Sequence, residues 1–254
     1  MWIDSHCHLN DEAFAADCEE VLERAGAAGV EAMIVVGFDL PSSERAIQLA
    51  ERHEPLRAAV GIHPHDAKIW DAEVAGRLRQ LLGHPRVVAL GEIGLDYHYN
   101  YSAPEQQRIA FKAQLQLAAD CDKPVIIHNR EAHQDTLMIL TEQPLGAAGG
   151  VMHCYSGSLP MAESFLKLGL HISLAGPVTF ANAAKLREVA AALPLAKLLV
   201  ETDSPYLAPH PWRGRRNEPG YVGFVGAKLA EIKELPLAEV MEQTTANTRR
   251  LFRL

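Results

Sequence analysis

Eight short runs rich in β-branched and other apolar residues recur along the chain: WIDSH, VEAMIVVGF, LRAAVGIH, RVVALGEIG, KPVIIHN, GGVMHCY, LHISLAG and KLLVETD. Stretches of helical length lie between them. One is DEAFAADCEEVLERAGAAG, with Phe14, Cys18, Val21, Leu22 and Ala25 near one face; another is PEQQRIAFKAQLQLAADCD, with Ile109, Leu115 and Leu117 in its apolar body. Parallel strands cannot be joined by tight hairpins, so this alternation calls for a parallel sheet with right-handed helical crossovers. Eight such units in 254 residues match a closed (β/α)8 TIM barrel. A doubly wound open sheet is the competing solution. It is disfavoured because no Gly-rich dinucleotide loop follows the first run, and because polar residues close nearly every run instead of gathering at one switch point. After the eighth run, SPYLAPHPWRGRRNEPGYVG leads into helical FVGAKLAEIKEL and a closing helix from about Pro236 to Phe252. No linker divides the sequence, so residues 1–254 are expected to form a single barrel domain.

Composition narrows the functional classes. The formal charge is −8, which argues against a general duplex-coating protein, because such affinity rests on many Lys and Arg contacts to phosphate. No apolar stretch approaches the ~20 residues of a membrane-spanning helix, and the N-terminus shows no basic region followed by an apolar signal core. The expectation is a cytoplasmic protein without membrane contact. Cys7, Cys18, Cys121 and Cys154 show no C-x-x-C spacing and are expected to be free, buried thiols.

The residues closing the runs carry the chemistry. In MWIDSHCHLN, the period-2 geometry of a strand puts Asp4, His6 and His8 on one face and Ser5 and Cys7 on the other. His63 and His65 follow the third run in GIHPH, Glu92 the fourth in GEIGLD, His128 the fifth in IIHNR and His153 the sixth in VMHCY; Glu201 and Asp203 follow the eighth in ETDSP. Barrel enzymes build their sites at this one rim. A single strand-end histidine is commonly a satisfied core or surface residue, but four strands ending in histidine at the same rim point to metal binding. His6, His8, His128 and His153, with Glu92 and Asp203, are too many ligands for one tetrahedral ion with an open position. They suffice for two, and Glu92 could bridge ions about 3.5 to 4 Å apart.

DSHCHL, GIHPH, GEIGLDY, KPVIIHNREA, HCYSGS, ISLAGPVTF, ETDSPYLAPHPWRGRRNEP and NTRRLF together resemble the TatD-like deoxyribonuclease family of metal-dependent hydrolases, in order and from Asp4 almost to the C-terminus. The resemblance implies a TIM barrel of the metallo-dependent hydrolase type that carries a divalent metal pair and cuts phosphodiester bonds, commonly as a 3′ to 5′ exonuclease on DNA. The family's ligand positions fall on His6, His8, Glu92, His128, His153 and Asp203. His98 stands where many relatives carry an aromatic or small polar residue, which bears on local substrate contacts.

Phosphodiester hydrolysis needs a hydroxide, a neutralised phosphate and a stabilised leaving alkoxide. Asp203 is the residue expected to orient the attacking water and accept its proton, and Glu92 the one expected to hold both metals. Glu201, on the same strand face, is expected to hold a ligand from behind. His63 and His65 are expected to contact phosphate or the leaving group, with capping of the local turn by His65 as the structural alternative. Arg130, just past His128, and Arg213, Arg215 and Arg216, on the loop after Asp203, are suited to phosphate. Tyr97, Tyr99, Tyr101 and Tyr206 could stack on unpaired bases or pack beneath the loops.

Mixed imidazole and carboxylate ligands accept Zn, Mn, Ni or Fe, with Mg possible in assay. The substrate expected is DNA, at ends or in single strands, cut by a monomer. An ester hydrolase of the D-aminoacyl-tRNA deacylase type could use the same metal chemistry on tRNA, and the acidic net charge suits a small reacting group. A non-catalytic nucleic-acid scaffold would have no need of all six ligands.

Overall fold

Each of the eight apolar runs forms a strand in the computed structural model, which describes residues 1–254. The strands are β1 (Trp2–Cys7), β2 (Val30–Val36), β3 (Leu56–Val60), β4 (Val87–Asp96), β5 (Val125–Arg130), β6 (Gly150–Met152), β7 (Leu170–Leu174) and β8 (Leu198–Val200). They pair in sequence order, all parallel. The ring closes where Cys7 bridges Ser204, with Asp203 N–H donating to His6 O at 2.9 Å and His8 N–H to Ser204 O at 2.7 Å. The closing bonds therefore run through the segments that carry two of the strand-end histidines and Asp203.

Helices α1 (Cys18–Ala27), α2 (Leu40–Arg52), α3 (Ala72–Leu82), α4 (Pro104–Asp120), α5 (His133–Glu142), α6 (Leu159–Lys167) and α7 (Ala184–Ala192) form the crossovers; α8 (Val222–Lys233) and α9 (Leu237–Phe252) close the chain. No helix is long and apolar enough to cross a membrane. Local chemistry sets their starts. At α2, Asp39 accepts from Ser42 N–H at 2.7 Å while Ser42 Oγ accepts from Asp39 N–H at 2.9 Å, with Pro41 in the first turn. The first crossover differs from the continuous helix its sequence suggests: a 3₁₀ turn at Glu12–Phe14, capped by Asp11, precedes α1.

Alternate strand residues supply two separate cores, as a pleated strand requires. Ile34, Val36, Ala59, Ala89, Ile126, Val151 and Leu199 pack together in the barrel, with Leu251 and Phe252 of α9 against them. The complementary set, among them Met33, Val35, Val60, Ile127, Met152 and Val200, belongs to the larger core that includes the helices. One helix face departs from its sequence reading. Ile109 on α4 is 55% exposed, and the inner face is formed by Gln107, Ala110, Phe111, Gln114, Leu115, Leu117 and Ala118. The glutamines face inward because they satisfy loop backbone: Gln114 bonds both Ile62 N–H and Ile62 O, and Gln107 bonds Asp96 N–H, Asp96 O and Ser102 O. Their side chains thereby fix the loops after β3 and β4.

Candidate functional site

The C-terminal ends of the strands converge on one cluster of imidazoles and carboxylates. His6 on β1 and His8 just past its end are 0% and 4% exposed, and their Nε2 atoms lie 3.1 Å apart. Spacing of i and i+2 put both rings on one side, as the strand period requires. Asp203 lies opposite, with Oδ1 3.6 Å from His6 Nε2 and 3.5 Å from His8 Nε2. Its backbone is left-handed, φ 57°, a conformation Asp tolerates better than most residues and one that recurs at functional sites.

Glu92 on β4 occupies the centre. Its Oε2 is 3.4 Å from His6 Nε2 and 3.7 Å from His8 Nε2. Its Oε1 is 2.8 Å from His128 Nδ1, 2.8 Å from His153 Nε2 and 3.5 Å from His63 Nε2. One oxygen thus faces His6 and His8, and the other faces His63, His128 and His153. Gly94 makes the β4–β5 approach possible, because a Cβ there would stand 2.0 Å from His128 O, and its φ is +139°.

Three sets of side chains bring ligand atoms within 4.8 Å of one another: His6, His8 and Asp203; His6, His153 and Glu201; and His63, Glu92 and His128. The first and third contain five of the six expected ligands, His6, His8, Asp203, Glu92 and His128, and the second brings in His153. His63, expected at the substrate, lies within the cluster and is 8% exposed.

Glu92 and Asp203 are held ionised. Burial opposes this for Glu92, but the charge of His153 and hydrogen bonds with His128 and His153 keep its pKa well below the usual range. Burial likewise opposes ionisation of Asp203, and the His8 hydrogen bond and the neighbouring imidazoles outweigh it. His63 goes the other way: burial lowers it to about 4, so it is neutral with a lone pair available at neutral pH. Burial also lowers His6, where the charge of His153 adds to the effect.

Buried polar residues support the cluster. Glu201 Oε1 accepts from Cys154 N–H at 2.6 Å and lies 3.4 Å from His153 Nδ1, which places it behind that ring. Asp4 accepts from Thr202 N–H at 2.9 Å and from Thr202 Oγ, fixing the segment between Glu201 and Asp203; burial raises its pKa to about 8 against those bonds. Asn217 Nδ2 donates to Thr202 O and Tyr206 O and folds the following loop back onto the site.

Asp96 is the residue that the sequence reading missed. It is 1% exposed, and its Oδ2 is 3.0 Å from both His65 Nε2 and His128 Nε2. The signal was available, since Glu92 and Asp96 are four residues apart on one strand and share a face. The cap of the turn Pro64–Ile69 also differs from expectation. His63 Nδ1, not His65, accepts the cap bond, from His65 N–H at 3.1 Å.

The arginines separate into two groups. Arg216 bonds Asp17 Oδ1 and Oδ2, Glu218 Oε1 and Ala13 O, which makes it a strut between the β8–α8 loop and the start of α1 instead of a free phosphate contact. Arg130, Arg213 and Arg215 form no ion pair, and their guanidinium groups lie over the rings of Tyr99, Phe180 and Trp212. Tyr97 is half-buried and bonded to Asp135, and Tyr206, 52% exposed, bonds Asp11.

The sequence matches the family described as TatD related DNase over residues 3–253. The chain belongs to the TatD family. It is 46% identical to the uncharacterized metal-dependent hydrolase YabD of Bacillus subtilis (strain 168) over 254 residues, 100% of each chain. It is 39% identical to the 3′-5′ ssDNA/RNA exonuclease TatD of Enterobacter lignolyticus (strain SCF1), covering 98% of each. The crystal structure of YjjV, a TatD homologue from Escherichia coli K12, superposes with a TM-score of 0.95 at 38% identity, covering 100% of this chain and 98% of that one. This TatD-family chain is therefore a metal-dependent hydrolase on the barrel its strand pattern called for.

Proposed function

We propose that the protein is a divalent-metal-dependent nuclease that removes nucleotides from the 3′ end of single-stranded DNA with two ions at the barrel mouth. The observation that carries this reading is the division of Glu92: Oε2 faces His6 and His8, and Oε1 faces His128 and His153. A carboxylate presented in this way suits two ions better than one.

The donor set fits divalent cations. His6, His8 and Asp203, and again His63, Glu92 and His128, bring imidazole nitrogens and carboxylate oxygens within 4.8 Å of one another, the mixed nitrogen and oxygen donor set that divalent ions take. His6, His8, Glu92, His128, His153 and Asp203 would hold the ions, with Zn, Mn, Mg, Ni and Fe all compatible with these donors. When bound, such ions lower the pKa of water and neutralise phosphate charge.

The chain's own groups do the rest. Asp203, ionised at the edge of the cluster, accepts the proton of the attacking water. Glu201 and Asp96 orient the His153 and His128 rings from behind. His65, held by Asp96 and half-buried at the mouth, is placed to contact the phosphate or the leaving oxygen, with His63 beneath it. Arg130 and Arg215, free of carboxylate partners, supply positive charge to flanking phosphates. The exonuclease name of relatives at 39% identity supports the polarity chosen here.

The test uses metal-stripped protein refilled with one ion at a time and offered single-stranded DNA carrying a 5′ label, the same strand in duplex, and mischarged aminoacyl-tRNA. A metal-dependent ladder shortening from the 3′ end, faster on single strand than on duplex, is expected. Release of amino acid from tRNA without DNA cleavage would replace this reading with the ester hydrolase.

A further inference from the structure

Two water-exposed tyrosines whose hydroxyls form no hydrogen bond stand beside the cluster. Tyr99 and Tyr101 lie between β4 and α4 and are 47% and 60% exposed. Their rings stack on each other, with centroids 5.3 Å apart and planes 11° from parallel. His65 meets both edge-on, at 5.5 Å and 4.8 Å. Tyr97 shows what a structural tyrosine on the same loop does, with its hydroxyl donating to Asp135 at 2.7 Å.

The pair is anchored to the site. Asp96 Oδ1 accepts from His98 N–H at 3.0 Å and from Tyr99 N–H at 2.9 Å, while its Oδ2 reaches His65 and His128. Ser102 Oγ donates to His65 O at 2.8 Å and ties down the far end of the loop. One carboxylate therefore fixes both the stacked rings and a ring of the cluster, so the distance between them is set by the fold. Positive charge flanks the pair. Arg130 lies 4.8 Å from the Tyr99 centroid, and Lys68 Nζ donates to Tyr101 O at 3.4 Å; neither cation pairs with a carboxylate.

We propose that Tyr99 and Tyr101 form a seat for one unpaired nucleobase next to the phosphodiester being cut, with Arg130 and Lys68 on its adjoining phosphates. This rests on the nuclease reading above and adds to it the feature that selects single strands. A base inside a duplex has both faces covered by its neighbours and cannot present one to a tyrosine ring. Stacking on an aromatic face tolerates every base, because each has a π-face, so the seat confers strand selectivity without sequence preference. Cations beside the rings suit a base that arrives with phosphates on either side.

The test is abasic scanning: kcat/KM on single-stranded oligodeoxynucleotides lacking one base at each of the three 3′-terminal positions in turn. For the wild-type protein, base removal at one position is expected to lower kcat/KM about tenfold, within the range that single stacking contacts contribute. The Tyr99→Leu/Tyr101→Leu double variant should show that tenfold loss on the intact strand and less than about twofold further loss at the same abasic position. Tyr99→Phe/Tyr101→Phe, which keeps both rings, should respond as the wild type does. Cleavage by wild type that is indifferent to base removal at every position overturns the seat and leaves the nuclease reading standing. An undiminished abasic response in the leucine variant does the same. No cleavage of any oligonucleotide by the metal-loaded wild type overturns both.

Discussion

Asp203 and Glu201 are two residues apart, yet their surroundings give them different work. Asp203 is 8% exposed at the mouth, facing His6 and His8; Glu201 is 1% exposed and bonded to Cys154 N–H behind His153. Asp203→Asn keeps the shape but cannot accept a proton. Its turnover at saturating metal is expected to fall by about 10² to 10⁴-fold, the range for loss of a general base. Glu201→Gln at matched metal occupancy should lose less, and equal losses would remove the distinction. Asp96 acts through the rings it holds. Asp96→Asn should weaken metal binding by about 10 to 100-fold, as for other partners of metal-ligating histidines, in competition titrations against a chromophoric chelator. An unchanged affinity would show that His128 needs no carboxylate behind it.

At the level of elements, the loop from Ser204 to Tyr221 combines a strut with free cations. Arg216 ties it to Asp17 and Glu218, whereas Arg213 and Arg215 rest on aromatic faces. Arg213→Ala/Arg215→Ala is expected to flatten the salt dependence of oligonucleotide binding by about 1.4 units of log–log slope, since each phosphate contact on a single strand contributes ~0.7. Arg216→Ala should instead speed tryptic cleavage within the loop, because the strut no longer holds it. A salt slope changed equally by both would merge the two groups. Helices show a similar split by environment. Gly76 on α3 has open space around a Cβ, so Gly76→Ala should stabilise by about 0.5–1 kcal/mol through helix propensity. On α8, a Cβ at Gly226 would stand 2.1 Å from Cη2 of buried Trp2, so Gly226→Ala should cost about 1–3 kcal/mol from overpacking. Thermal unfolding should show the two melting temperatures moving in opposite directions.

For the molecule as a whole, the histidine and carboxylate cluster and the closure of the barrel share residues: His6, His8 and Asp203 belong to both. Ions bound only by the folded chain stabilise it by mass action, about 2.7 kcal/mol at one hundred times the dissociation constant. For a chain of this size that raises the melting temperature by roughly 5–10 °C. Chelator should reverse the rise, and the midpoint should climb with the logarithm of free metal. A midpoint independent of both metal and chelator would mean that the folded mouth does not retain ions.

The sequence alone determined the eight strands, the crossover helices and the rim at which His6, His8, Glu92, His128, His153 and Asp203 meet. Strand and helix periods are properties of a few consecutive residues, and a parallel barrel places every strand's C-terminal end on one side. Tertiary structure decided what depends on residues distant in the chain. Ile109 reads as core by its hydrophobicity, but α4 turns Gln107 and Gln114 inward because loop backbone from β3 and β4 needs their amides. Arg216 reads as a phosphate contact until Asp17, 199 positions earlier, is found beside it. The same holds for Glu92, where the assignment of one oxygen to each histidine group is a matter of distances across the barrel mouth. Spacing along a strand fixes which face a side chain takes; which partner waits on that face is set only when the other strands close around it.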